Sequence, residues 1–301
     1  MRQPVKYIFR ILVGVIFLIS SIAKIVSIDS FELYIFSFEI LGLSVSFLFA
    51  RLVIAFELAL GVYLIVNLDA KVAYALTCLF LAGMSVFLIV LIIMGNNGNC
   101  NCFGELIAMN PWQSLIKNVI IFAILLLSVK LQSFNIRYKP LWRVMIIVAA
   151  IATVFILRPP DNWYYESYGK STTFNREAFD QRVESNVLPS EIMEGDKVIC
   201  FYSLSCEFCK MSAHKIGTMR RLGTFPQSEI VAFIGLNDIS GRKEEATQKA
   251  ITFFEETKLD CEKFYFIEPK DFLRITNGSM PLILVMKDGE VIAKYSYRDI
   301  R

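Results

Sequence analysis

Five apolar stretches occupy the first half of the chain, at about residues 5–28, 43–67, 72–94, 112–131 and 141–157. An α-helix rises ~1.5 Å per residue, so about 20 apolar residues cross the ~30 Å hydrocarbon core of a bilayer. Backbone N–H and C=O groups have no water to bond in that core, so helices are the form such stretches take. The stretch at 141–157 is the shortest and spans with little tilt. Composition agrees: 55% of the 301 residues are hydrophobic, and the mean hydropathy is +0.52, too apolar for an ordinary soluble chain. The first stretch is followed by Ser27-Ile-Asp-Ser and Phe31-Glu-Leu-Tyr, without a small-residue cleavage site. It is expected to be a retained span rather than a removed signal peptide.

Lys and Arg set the orientation. Arg2, Lys6 and Arg10 precede or open the first span, Lys71 lies between the second and third, and Lys130, Arg137, Lys139 and Arg143 lie between the fourth and fifth. Residues 29–42 and 95–111 contain no Lys or Arg. Positive loops stay inside, so five spans put everything after residue 157 on the outer face of the cytoplasmic membrane. Arg158-Pro-Pro-Asp-Asn-Trp-Tyr-Tyr follows as a helix breaker and interfacial aromatic anchor. The expected organisation is a membrane domain at 1–157, a linker at 158–173 and an outer domain at 174–301. The net charge of +3 reflects topology, and no stretch carries the basic patch and motifs of a nucleic-acid-binding protein.

The outer domain is organised around Lys197-Val-Ile-Cys-Phe-Tyr-Ser-Leu-Ser-Cys206-Glu-Phe-Cys209-Lys. A β-branched and aromatic run predicts a buried strand, and the segment after the cysteines is helix-compatible to about Gly223. This order puts Cys206 at a helix N-terminus, where unsatisfied N–H groups favour a thiolate. Cys209 is one turn further on, within disulfide reach. Glu207 between them opposes the thiolate by like-charge repulsion. Zinc would need four ligands; His214 is the single histidine and Cys200 and Cys261 stand alone, so dithiol–disulfide exchange is the reading and no metal is expected. Downstream, Gly278-Ser-Met-Pro281 precedes the apolar Leu282-Ile-Leu-Val285, and Lys287-Asp-Gly-Glu290 is a hairpin turn. Residues 230–234 and 263–267 supply further strands around a charged helix at about 241–257.

These residues resemble the thioredoxin fold over about 171–301. The resemblance implies an α/β sheet with helices on both faces, and it makes Pro281 a cis-proline facing the CxxC and holding a partner backbone beside the sulfurs. Three departures stand out. Ser205 replaces the usual aromatic before the first cysteine, Glu207-Phe208 is an unusual dipeptide, and Cys200 occupies a strand position where a buried acid is common.

The other informative stretch is the loop Gly95-Asn-Asn-Gly-Asn-Cys100-Asn-Cys102-Phe-Gly-Glu105, expected on the same outer side. Its Cys-x-Cys-Phe-Gly, with the pattern of spans, resembles the methylamine-utilisation MauE-like membrane family, itself related to DoxX-like proteins, over about 5–157. The family is associated with extracytoplasmic disulfide formation during maturation of secreted partners. A disulfide across CxC closes a very small ring and should be readily reducible; free thiols or a metal site are the alternatives.

The fold class expected is therefore a multi-pass α-helical membrane bundle followed by an α/β thioredoxin-like domain. Charges within the spans, Lys24, Arg51 and Glu57, are weak candidates for holding a cofactor, against the alternative that Lys24 and Arg51 snorkel to the interface. Arg51 and Glu57 lie on different faces of one helix, so each should partner another helix. Cys78 and Cys200 are expected to be packing residues, Cys261 to be exposed without a partner, and His214 to be a surface or edge residue. The function expected is membrane-bound protein-disulfide exchange. Cys206 attacks, Cys209 resolves, Cys100 and Cys102 exchange with that pair, and the clients are extracytoplasmic proteins bearing cysteines. No bound cofactor is identified; a lipid-soluble quinone is the electron sink that the arrangement admits. Rival readings are a reductive relay, an outer domain acting on a mere anchor, and a non-catalytic maturation factor.

Overall fold

The structure, a computed structural model, describes residues 3–67, 70–95, 98–127, 139–160, 172–235 and 243–300. The chain divides into two compact units, Met1–Ile35 with Val45–Pro160 and Phe36–Ser44 with Asp161–Arg301.

The first unit is helical: α1 (Gln3–Val26), α2 (Ile28–Phe36), α3 (Leu43–Val66), α4 (Ala70–Ile93), α5 (Pro111–Leu127) and α6 (Lys139–Leu157). Four stretches are long and apolar enough to cross a membrane: Val5–Val26, Leu43–Val66, Lys71–Ile93 and Pro140–Leu157. This is a membrane protein. The fourth expected span is the shorter helix Pro111–Leu127, and its expected end at 131 lies outside the described residues, as do Lys130, Arg137 and the linker from 161 to 171. The first apolar stretch also ends sooner than its composition suggests. The chain breaks at Ser27 and resumes as α2, a helix within residues that the sequence pattern assigns to a loop.

α1 and α3 cross where neither has a side chain. A Cβ on Gly14 would lie 2.9 Å from Gly61 O, and one on Gly61 would lie 3.0 Å from Gly14 O. Glycine at both positions lets the backbones touch, as small residues do between helices in lipid. Arg10, fully buried, donates to the carbonyls of Leu64 (2.7 Å) and Tyr63 (3.2 Å) and to Asn67 Oδ1. It caps the end of α3, where carbonyls lack helical partners and the dipole is negative.

The second unit contains a five-stranded sheet in the order β4-β3-β2-β5-β6, with β2 (Asp196–Tyr202), β3 (Glu229–Gly235), β4 (Lys263–Ile267), β5 (Leu282–Lys287) and β6 (Glu290–Tyr295). β2 pairs parallel with β3, which pairs parallel with β4; β5 and β6 close the other edge antiparallel. β2 is central and covered on both faces, so its alternate residues face different layers. Ile199 and Phe201 pack with Phe179, Phe233, Phe272 and Leu284. Tyr202 faces the other way, its ring 5.7 Å from that of Phe253 on the helix Lys243–Thr257. The β5–β6 turn uses Asp288 (φ 46°) and Gly289 (φ 81°), the two positive φ values a tight hairpin with matching twist requires. The fold is thus a helical membrane part plus an α/β domain.

Candidate functional site

The CxxC lies where β2 gives way to the helix Glu207–Arg221. Cys206 is its N-cap in extended conformation (φ −89°, ψ 115°), and its sulfur accepts from the backbone N–H of Cys209 at 3.3 Å. A sulfur thus takes the place of the oxygen that usually satisfies an orphan donor there. Cys209 is fully buried, and its sulfur accepts from the Ser203 N–H at 3.5 Å. The Cys206 pKa falls to about 6, because the Cys209 thiol donates to it and the backbone N–H groups of Cys209 and Phe208 add to that; burial and Glu207 oppose. Cys209, donating and buried, is pushed far up. At neutral pH the first sulfur is a thiolate and the second a thiol, which is the division of labour between an attacking and a resolving cysteine.

Pro281, after a cis peptide bond from Met280, opens β5 one residue beyond the pair Phe201–Leu282. That is the end of β2 from which the CxxC turn leaves. Phe208 is exposed and packs its ring 5.5 Å from Tyr297. Met280 is exposed too. Beneath the helix, Cys200 is fully buried and burial pushes it up to about 12. His214 is half-buried, and burial lowers it to about 4, so it is neutral at physiological pH. One expectation needs correction: Cys261 is half-buried rather than exposed without a partner, its thiol donating to Lys263 O at 3.2 Å.

The CxC loop is stitched by its own asparagines. Asn99 Oδ1 accepts from the N–H groups of Asn101 (3.1 Å) and Met109 (3.2 Å), while its amide donates to Gly104 O (3.2 Å). Cys100 N donates to Met109 O at 2.9 Å, and Cys102–Glu105 forms a short strand, β1. The loop is then fastened to α1. Lys24 Nζ donates to Cys102 O at 2.6 Å and to Glu57 at 2.8 Å. The Ser20 hydroxyl lies 2.8 Å from Cys102 O and 3.1 Å from Glu57 Oε2, with one proton to give. Gly104 (φ 57°) passes so close that a Cβ would stand 2.1 Å from Ser27 Oγ.

α5 supplies the other wall. Its start is a reciprocal cap: Asn110 Oδ1 accepts from Gln113 N (2.8 Å) and Gln113 Oε1 from Asn110 N (3.0 Å), with Pro111 at the first helical position. This start sets Ser114 Oγ 2.8 Å from Cys100 Sγ, and the Lys117 ammonium 4.8 Å from the Phe103 ring centroid. Cys100 and Cys102 are 3% and 4% exposed. The Cys100 pKa falls to about 6, chiefly because the Cys102 thiol donates to it, with help from Ser114 and Lys117 against burial. Cys102 is held well above its ordinary range by the same bond and by burial.

Of the intramembrane charges, then, Lys24 and Glu57 meet each other at the CxC. Arg51 does not join them. It donates to Glu32, to Phe47 O (2.8 Å), to Arg158 O (2.6 Å) and to Pro159 O (2.9 Å), capping the end of α6. Both cations are buried, not snorkelling. Sequence reasoning missed Ser20, Ser114, Lys117 and Asn99, because none belongs to a motif. A cavity of about 30 Å³, room for roughly one water, is lined by Cys102, Glu57, Ser20, Lys117 and Asn118 among others. Among the described residues, no three His, Cys, Asp or Glu side chains cluster as metal ligands.

Residues 2–131 match the family model described as methylamine utilisation protein MauE. That stretch is similar to the MauE family. It contains the Cys-x-Cys-Phe-Gly loop and ends before α6. A curated relative, Protein TlpB of Flavobacterium psychrophilum, is 36% identical over 166 residues, which is 51% of this chain and 44% of the relative. The match thus spans less than half of that relative's length. No solved structure matches.

Proposed function

We propose that this protein is a membrane-bound thiol–disulfide oxidoreductase in which a thioredoxin-like domain, carrying Cys206 and Cys209, exchanges electrons with the membrane-loop pair Cys100 and Cys102. The observation that carries the reading is the shared build of the two pairs: in each, the first sulfur meets a polar group, the Cys209 N–H at 3.3 Å for Cys206 and the Ser114 hydroxyl at 2.8 Å for Cys100, and the second cysteine is buried. In each pair the first cysteine's pKa is lowered and the second's raised, and two such pairs in one chain support a relay between them. The resemblance to MauE-like proteins, associated with disulfide formation in secreted partners, supports the same reading. Pro281 and the exposed Phe208 and Met280 suit the docking of an extended client segment beside Cys206.

In the direction favoured here, the Cys206–Cys209 disulfide oxidises an extracytoplasmic client and becomes a dithiol. The Cys100–Cys102 disulfide then takes those two electrons by thiol–disulfide exchange, becoming a dithiol in turn. A lipid-soluble quinone is the proposed final acceptor. The cytoplasmic membrane is the proposed location. Both pairs would face its outer side, following the absence of Lys and Arg from residues 29–42 and 95–111.

Changing Cys100 and Cys102 together to Ser tests the relay through the resting redox state of Cys206–Cys209 in membranes, read by thiol alkylation. A pair stuck reduced supports the oxidising direction, and one stuck oxidised supports the reductive rival. An unchanged state uncouples the two pairs and removes the relay. A membrane-impermeant thiol reagent should reach Cys206 and, after reduction, the loop pair from the same side.

A further inference from the structure

We propose that one face of α5, Ser114 with Lys117 a turn further on, makes Cys100 the sulfur of the membrane pair that is joined to and released from Cys206, leaving Cys102 as the inner thiol. This rests on the relay reading and names the entry point within it. Residues three apart on a helix share a face, so the capped start of α5 aims both at the loop. Ser114 is fully buried and its hydroxyl contacts Cys100 Sγ at 2.8 Å. Lys117 is kept at the loop by the Phe103 ring and lines the cavity with Cys102, whereas Cys100 does not line it. Cys102 is also the residue whose carbonyl Lys24 and Ser20 hold from α1. The two sulfurs therefore differ: one meets a hydroxyl on α5, the other is held from α1 and lines a partly open cavity.

The electron count follows. Cys206 thiolate attacks Cys100 of the Cys100–Cys102 disulfide; a Cys206–Cys100 bond forms, the Cys100–Cys102 bond breaks, and its electron pair goes to Cys102. That thiolate develops beside the Lys117 ammonium, which offsets its charge until it takes a proton. Cys209 gives up its proton to water, the counterpart of the one that Cys102 takes up, and its thiolate attacks Cys206. The Cys206–Cys100 bond breaks and Cys100 departs as a thiolate, stabilised by the O–H of Ser114. Cys206 and Cys209 have lost two electrons and Cys100 and Cys102 have gained them.

The charged and titratable groups facing this site are Lys24 from α1, Tyr34 from α2, Glu57 from α3, Lys117 from α5, and the two thiols themselves. The test is alkylation of the reduced, full-length protein by a small neutral reagent across pH, with tandem mass spectrometry assigning label to Cys100 or Cys102. Cys100 should label first, with a midpoint at about 6. Lys117→Met and Ser114→Ala should each raise that midpoint, giving roughly tenfold slower labelling on its acid side, and Lys117→Arg should restore it. Earlier labelling of Cys102, or a midpoint indifferent to both changes, overturns the assignment while leaving the relay standing. With Cys209→Ser alone, Cys206 should accumulate in a mixed disulfide formed from the intact Cys100–Cys102 disulfide, and tandem mass spectrometry should map its membrane partner to Cys100, with Cys102 left as the free thiol; a Cys206–Cys102 bond overturns the assignment. Normal Cys100 labelling with no mixed disulfide in that variant removes the relay instead.

Discussion

The two cysteine pairs reach the same electrostatic arrangement by different construction. At Cys206 the thiolate is favoured by groups within three residues: the Cys209 thiol and two amides of the first helical turn. At Cys100 the partner thiol is again the main donor, but a serine and a lysine from another helix assist it. A clamp from a third helix fixes the loop that carries it. A helix N-terminus is a site that forms whenever the helix forms. A loop site of the second kind exists only when several helices have packed correctly, so it should be more sensitive to distant substitutions than the first.

Gly104→Val should expose that difference most sharply. A Cβ there meets Ser27 Oγ at 2.1 Å and Ala23 O at 3.0 Å, at a positive φ that a β-branched residue avoids. With the loop displaced, the alkylation midpoint of Cys100 should climb from about 6 toward its ordinary 9.0. That of Cys206 should not move. A shift in both, or in neither, would break the contrast between a local and an assembled site.

Lys24→Met comes next. It strips the partner from a buried carboxylate, Glu57, and removes the clamp on Cys102 O. Breaking one side of a buried pair costs about 3–5 kcal/mol, which thermal unfolding in detergent should register. Lys24→Met with Glu57→Leu should recover much of that loss without restoring the Cys100 midpoint. Recovery of both would mean that the pair serves packing alone and does not hold the thiol site.

At the CxxC, Cys209→Ala removes the main donor to Cys206 but leaves the backbone N–H in place. A hydrogen bond to a charged group is worth about 1.5–3 kcal/mol, so the Cys206 midpoint should rise by about 1–2 pH units. Below the midpoint the thiol form predominates and exchange slows; above it the thiolate carries the reaction. A midpoint that stays at about 6 would assign the thiolate to the helix N-terminus alone.

Glu207→Gln is the smallest change. It removes a like charge, so the Cys206 midpoint should fall, by less than about one pH unit for a group in contact with solvent. A rise would reverse the sign assigned to that residue.

How much of this was readable beforehand follows the same division. Apolar run length announced the spans because crossing a bilayer is a one-dimensional requirement. The strand, CxxC and helix announced Cys206 because capping geometry is complete within one turn. The Asp288-Gly289 turn was readable because its two positive φ values demand those residue types. Tertiary packing decided the rest. It brought Lys24 and Glu57 from different helices to the carbonyl of Cys102, sent the similar-looking Arg51 to the end of α6, and set Ser114 and Lys117 against the loop. It also left His214 half-buried, and broke the first apolar stretch at Ser27. Coulomb attraction and hydrogen bonding act between neighbours in space. A sequence records neighbours along the chain, so partners separated by dozens of residues are decided by which helices pack together.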